Sequence, residues 1–241
     1  MNGNQPNEAT ARIRFAAADL APDPDDIEDN LLRARTKGRD LMLKIPSLKD
    51  RPVVNGDTVT LVLDGEELED TSFSIVDPDA PIPLMLSAAR HDQSGRYQIN
   101  YVIRYLAGGG QSETGPRDQG FVADYEPPGL PFLASPVFYF SPDDGLTPDR
   151  LDPNGNLIAL VPGYTGLAIH DAITPLIDGV EGAPTIVTEL PVEGSLIHVI
   201  YPGTMLSGLS GSHDFAYRIR DRAGNVSADS RPVSMNVLLG H

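Results

Sequence analysis

Asp57-Thr-Val-Thr-Leu-Val-Leu-Asp-Gly65 returns further along the chain as Asp171-Ala-Ile-Thr-Pro-Leu-Ile-Asp-Gly179. Each copy opens on an aspartate, alternates large apolar residues, and closes on Asp-Gly, the dipeptide of a tight hairpin turn. Two more correspondences keep the same order. Tyr101-Val-Ile-Arg104 returns as Tyr217-Arg-Ile-Arg220, and Ile45-Pro46 as Val161-Pro162. The offsets are 114, 116 and 116 residues, so only loop lengths drift between the copies. A period this long matches a whole small domain rather than a solenoid unit. The chain therefore reads as two copies of one domain.

Between the copies lies Tyr125-Glu-Pro-Pro-Gly-Leu-Pro131. Proline has no amide hydrogen to continue a ladder and holds its neighbours extended, which marks a short, stiff connection. The expected organisation is a flexible polar tail over 1–10, a first domain over 11–126, a proline-rich linker over 127–131 and a second domain over 132–241.

Alternation dominates each copy. Tyr97, Ile99, Tyr101, Ile103 and Tyr105 place an apolar residue at every second position, with Arg96, Gln98, Asn100 and Arg104 on the other face. Phe215, Tyr217 and Ile219 repeat the pattern opposite Asp214, Arg218 and Arg220. Leu41, Leu43 and Ile45 alternate likewise, as do Val59, Leu61 and Leu63. These are half-buried strands of period two. Turn clusters at Asp64-Gly65, Ser94-Gly95, Gly108-Gly109-Gly110 and Ala223-Gly224-Asn225 separate them. The stretch Ile27-Glu-Asp-Asn-Leu-Leu-Arg-Ala-Arg35 is the one candidate for a helical turn or two. Short strands with a turn about every ten residues specify an all-β chain of two tandem immunoglobulin-like antiparallel sandwiches.

The stretch Phe215-Ala-Tyr-Arg-Ile-Arg-Asp-Arg-Ala-Gly-Asn-Val-Ser227 resembles the penultimate-strand-and-turn signature of bacterial immunoglobulin-like repeats. Those repeats are similar to fibronectin type III domains and occur in large repetitive surface and secreted proteins. The resemblance implies a strand-F tyrosine at Tyr101 and Tyr217, whose hydroxyl ties back to a nearby backbone group. It also implies a structural or adhesive role by protein or glycan contact at a bacterial surface. The chain departs from the pattern in three places. It has no tryptophan near Leu63 or Ile177, Gly108–Gly110 replace the Ala-Gly-Asn turn in copy one, and Pro175 interrupts a strand of copy two. The proline points to an edge position or a bulge there.

Composition narrows the function. The net charge of −16 is spread along the chain, −9 over residues 1–128 and −7 over 129–241. Such a field repels phosphate backbones, so no nucleic-acid partner is expected. No apolar run approaches the ~20 residues that span a bilayer, so no membrane insertion is expected. With no cysteine, disulfides and thiolate chemistry are absent. The start, Met1-Asn-Gly-Asn-Gln-Pro-Asn-Glu8, lacks the basic and apolar regions of a secretory signal. The expected location is extracellular or at the cell surface without such a signal. A decoration or fibre component of a phage or injection particle is the alternative.

No motif for nucleophile, metal, phosphate or dinucleotide appears. Three of the five histidines precede an aspartate, His91, His170 and His213; of these acids Asp171 belongs to the repeated motif, whose counterpart Asp57 has no histidine beside it. No enzyme, catalytic residue, cofactor or metal is therefore assigned, a carbohydrate-active or hydrolytic enzyme being the outside reading. Asp23-Pro-Asp-Asp26 and Asp143-Asp144 precede the two copies as candidate calcium ligands, with Asp77-Pro-Asp79 a weaker one. They lack EF-hand spacing and fit ordinary turn chemistry. Arg33, Arg35, Lys37 and Arg39 form the one basic patch, on or beside a strand, suited to an acidic neighbour or to guarding an edge. A protein partner or self-association is expected. The alternating Thr10-Ala-Arg-Ile-Arg-Phe15 is a candidate for strand exchange.

Overall fold

A computed structural model describes residues 12–25, 30–106, 111–191 and 196–240, divided into two units, Met1–Tyr125 and Glu126–His241. The tail over 1–10, Asp26, the start of the helical candidate and Gly108–Gly110 lie outside the described residues. Each unit is an antiparallel β-sandwich, as the alternation requires.

In the first unit, β1 (Arg14–Phe15), β2 (Leu41–Ile45) and β5 (Ile82–Leu86) form one sheet in the order β1-β2-β5. The second sheet runs β4 (Glu66–Ser74), β3 (Thr58–Leu63), β6 (Gly95–Arg104). Along the far side of β6 lie β7 (Ser112–Thr114) and then β8 (Gly120–Ala123). The alternate residues foreseen from the sequence fill the space between the sheets. Leu41, Leu43, Ile45, Leu61, Ile99, Tyr101, Ile103 and Phe121 are all buried.

The second unit repeats the plan. β9 (Val137–Phe138), β10 (Leu157–Val161) and β14 (Ile197–Tyr201) form the sheet β14-β10-β9. The facing sheet is built on β11 (Ala172–Ile177), β15 (Gly211–Arg220) and β16 (Val233–Val237). Two short strands, β12 (Val180–Glu181) and β13 (Thr185–Ile186), share the outer side of β11. Pro127–Pro131 fall in this unit, where the Gly129 N–H donates to the Thr165 carbonyl at 2.8 Å and Leu133 enters the core.

The repeated motif is a repeated turn. Asp64 and Gly65 have φ of 49° and 86°, and Asp178 and Gly179 have 52° and 79°. Two successive positive φ values define the hairpin turn whose twist matches its strands. Each turn aspartate also pins a third strand. Asp64 Oδ1 accepts from the Gln98 N–H at 2.7 Å, and Asp178 Oδ1 from the Asp214 N–H at 2.9 Å.

Pro175 does not sit on an edge. It lies in β11, which is paired with β15 without a break from Ala172 to Ile177. The backbone of Tyr217, opposite Pro175, is bonded to Ser230 on its other side. The Pro175–Tyr217 pair is therefore one that exchanges no hydrogen bonds. The Pro175 carbonyl accepts from Gly182 on the outer side, and the missing N–H faces the gap between β12 and β13.

The helical candidate fails where it is described. Leu31 and Leu32 make bridges to Val122 and Leu20, and Leu32 is fully buried. Only one 3-10 turn follows, Ala34–Thr36. Burial of the leucines against strands overrides the weak local propensity. The described residues contain one α-helical turn, Gly203–Leu206, in a place the periodicity does not mark.

Candidate interaction surfaces

Asp57 and Asp171, the first residues of the repeat, are buried clamps. Asp57 accepts from the N–H of Val54 and of Leu106, both at 2.8 Å. Asp171 Oδ2 accepts from the Tyr164 hydroxyl at 2.7 Å and the Ala168 N–H at 3.0 Å. Burial, with the Asp171 carboxylate beside it, pushes the Tyr164 hydroxyl well above its ordinary pKa. His170 takes a positive φ of 74° in the turn before Asp171 and donates its backbone N–H to Val187. The pair ties a loop to a strand by hydrogen bonds that the fold uses in both units.

Tyr101 and Tyr217 are fully buried. The Tyr217 hydroxyl donates to the Ala134 carbonyl at 2.9 Å, a backbone group distant in sequence rather than adjacent. Burial pushes the Tyr217 hydroxyl up to about 12.

The acidic candidates are turn residues. Asp143 and Asp144 occupy a 3-10 turn, and Asp144 pairs with Arg150 at 3.5 Å. Asp77 caps its own turn by accepting from the Asp79 N–H at 2.9 Å. Among the described residues no three His, Cys, Asp or Glu side chains converge on one point. The basic patch is not on a strand. Arg35 donates to the Ala18 carbonyl, and Lys37 lies 5.5 Å from the centroid of the Tyr125 ring.

His91, to which no sequence motif gives a role, is completely buried. Its Nε2 must donate to the Arg39 carbonyl (3.1 Å), so in the neutral ring Nδ1 accepts from the Tyr125 hydroxyl (2.9 Å). Burial holds this imidazole below its ordinary pKa. Gln119 is likewise outside any motif, and its side-chain amide pairs with both backbone groups of Ile13 as a strand would. That clamp and the β1–β2 ladder hold Ile13-Arg-Phe15 to the first unit.

The outer faces of the equivalent sheets differ most. In the first unit one row across the sheet is Arg14, Lys44 and Pro83, and the next is Met42 and Met85. In the second unit the matching rows are Val137, Leu160 and His198, then Ile158 and Ile200. Tyr139, beside the second row, is 65% exposed, and its hydroxyl lies 2.9 Å from His198 Nε2. The two rings lie nearly parallel, centroids 6.4 Å apart. A sheet face turned to water normally alternates to polar residues, whereas this one stays apolar.

No protein-family model and no curated protein matches the chain. Among solved structures, the fibronectin(III)-like modules of Clostridium thermocellum CbhA align over 95% of this chain and 98% of theirs, at 12% identity and a TM-score of 0.43. A Ca2+-stabilised adhesin by which an Antarctic bacterium binds ice aligns over 96% of this chain and 49% of its own, at 16% identity and a TM-score of 0.46. Likenesses this distant transfer neither residue roles nor activity.

Proposed function

We propose that this chain is a non-catalytic contact protein of a bacterial surface, in which two sandwich units hold sheet faces out to a protein or glycan partner. The observation that carries this reading is the apolar outer face of β9, β10 and β14, centred on Leu160 and flanked by Tyr139 and His198. An aromatic ring beside aliphatic side chains suits both the apolar face of a sugar and a protein surface. The buried carboxylates support the reading from the other direction, since both oxygens of Asp57 and Oδ2 of Asp171 accept hydrogen bonds that hold loops.

The test is a photoreactive phenylalanine at position 139, compared with the same residue at Met85 on the matching face of the first unit. Cross-linking concentrated at 139, in cell-envelope material, supports the reading, and the same adduct in purified particles moves the protein to the particle setting. Equal labelling at both sites contradicts the assignment of the face. Turnover of a glycan, ester or peptide that is lost on Asp171→Asn would overturn the non-catalytic reading.

A further inference from the structure

An edge strand offers unpaired backbone groups to any passing chain, and folded proteins blunt such edges with charge, proline, shortness or cover. Among the described residues nearly every edge is treated that way. β4 carries Glu66, Glu67, Glu69 and Asp70 and is broken in register near Thr60. β5 has Pro83 at its second position. The outer side of β8 is covered in parallel by Asn30–Leu32, whose Leu32 N–H donates to the Val122 carbonyl at 2.8 Å. The outer side of β16 is covered by Leu146, bonded to Asn236 and Leu238 at 2.7 and 2.8 Å. β1, β9, β12 and β13 are two residues long and β7 is three.

β14 is the exception. It ends its sheet, paired with β10 and with nothing else among the described residues. Its five residues, Ile197-His-Val-Ile-Tyr201, contain no proline and no acidic or basic side chain beyond a histidine. The preceding Leu196 is 57% exposed. Every residue but His198 is of a type that favours strands.

We propose that β14 pairs antiparallel with β14 of a second copy of this chain about a two-fold axis, joining two three-stranded sheets into one of six. This deepens the contact reading and rests on it, because the same sheet is used. The strand is its own complement. Centred on Val199, the pairing sets Ile197 against Tyr201 of the other copy and His198 against Ile200. Both faces of the junction are then apolar or neutral. A chain of net charge −16 resists self-association wherever its carboxylates face one another, and this edge presents none. The apolar rows of Leu160 and Ile158 run on across the junction into those of the partner copy.

Sedimentation velocity on the full chain over a range of concentrations reads the outcome. The expected result is a doubling of mass that Ile200→Lys abolishes and Val137→Lys, on the same face at the opposite edge, does not. Circular dichroism of both variants shows that they are folded. Since the chain has no cysteine, the double variant His198→Cys/Ile200→Cys gives an independent readout, a disulfide-linked dimer on mild oxidation. A monomer at every concentration, or a dimer untouched by Ile200→Lys with no cross-link from the cysteine pair, overturns the proposal. A monomer that still cross-links to a foreign partner through position 139 would sink self-pairing and leave the contact reading standing.

Discussion

Leu61 in the first unit and Pro175 in the second occupy one position of the repeated strand and meet one problem in two ways. The local backbone N–H points at an outer strand that cannot receive it in regular register. In the first unit the Leu61 N–H donates to the Thr71 hydroxyl at 2.9 Å, and that hydroxyl donates to the Leu68 carbonyl at 2.7 Å. In the second unit the N–H is removed altogether by proline, and the outer strand parts into β12 and β13 around it. The scaffold is thus conserved as geometry while the residues that satisfy it change. The surfaces follow no such constraint. Arg14, Lys44 and Pro83 in one unit stand where Val137, Leu160 and His198 stand in the other. The two units agree in the core and differ on the faces.

The largest effects are expected at the paired tyrosines. Truncating a buried aromatic costs about 3–5 kcal/mol, so Tyr101→Ala and Tyr217→Ala should each unfold their own unit's transition in chemical denaturation. Tyr217→Ala also removes the hydroxyl that donates to the Ala134 carbonyl at 2.9 Å. Tyr101 has its own constraint, for a Cβ at Gly115 would sit 2.6 Å from its ring. Equal and small losses would move both strands out of the cores.

Next come the buried clamps. Asp57→Ala leaves two backbone N–H groups without their acceptor, and each lost bond to a charged group costs about 1.5–3 kcal/mol. Asp171→Ala should act alike on the second unit, with the Tyr164 hydroxyl released as well. The readout is the midpoint shift of each transition. A smaller loss, about 1–3 kcal/mol for a buried donor left unsatisfied, is expected for Thr71→Val in the first unit. At the matching place the second unit has Pro175, which has no N–H to satisfy.

Acidification should separate the units by sign. His91 is held below its ordinary pKa of about 6.5, so below that value the unfolded chain takes up the proton first and the first unit loses stability as pH falls. His213 is raised, chiefly by its hydrogen bond to Asp178 at 2.6 Å. Its contribution is complete below pH 6.5 and fades as pH rises through its folded value. Melting curves between pH 8 and 5.5 should therefore show the first unit weakening while the His213 contribution to the second grows. His91→Gln should flatten the first response, and parallel shifts in the two units would contradict both assignments.

Much of the scaffold was legible because it is local. Asp64-Gly65 and Asp178-Gly179 fix their turns by positive φ alone, and the spacing of Tyr97 to Ile103 fixes which side of β6 is buried. What escaped is pairing between distant segments. Nothing near Leu31 announces a parallel bridge to Val122, and nothing near Gln119 announces a side chain acting as a strand for Ile13. His91 sits in an unremarkable stretch, and its burial depends on Tyr125 and Arg39 closing over it. The candidate face did leave a signal. Leu157–Val161 and Ile197–Tyr201 are apolar at nearly every position, where alternation would have marked one wet side.

The two units share one scaffold, and under the pairing proposed above the second alone carries the self-complementary edge. Sedimentation equilibrium of residues 1–125 and 126–241, expressed apart and shown by circular dichroism to be β-rich, tests this most directly. The predicted result is a monomeric first half, guarded by Pro83, and a second half that doubles its mass and is returned to monomer by Ile200→Lys. A first half that dimerises, a second half that stays monomeric, or either half failing to fold alone would contradict it.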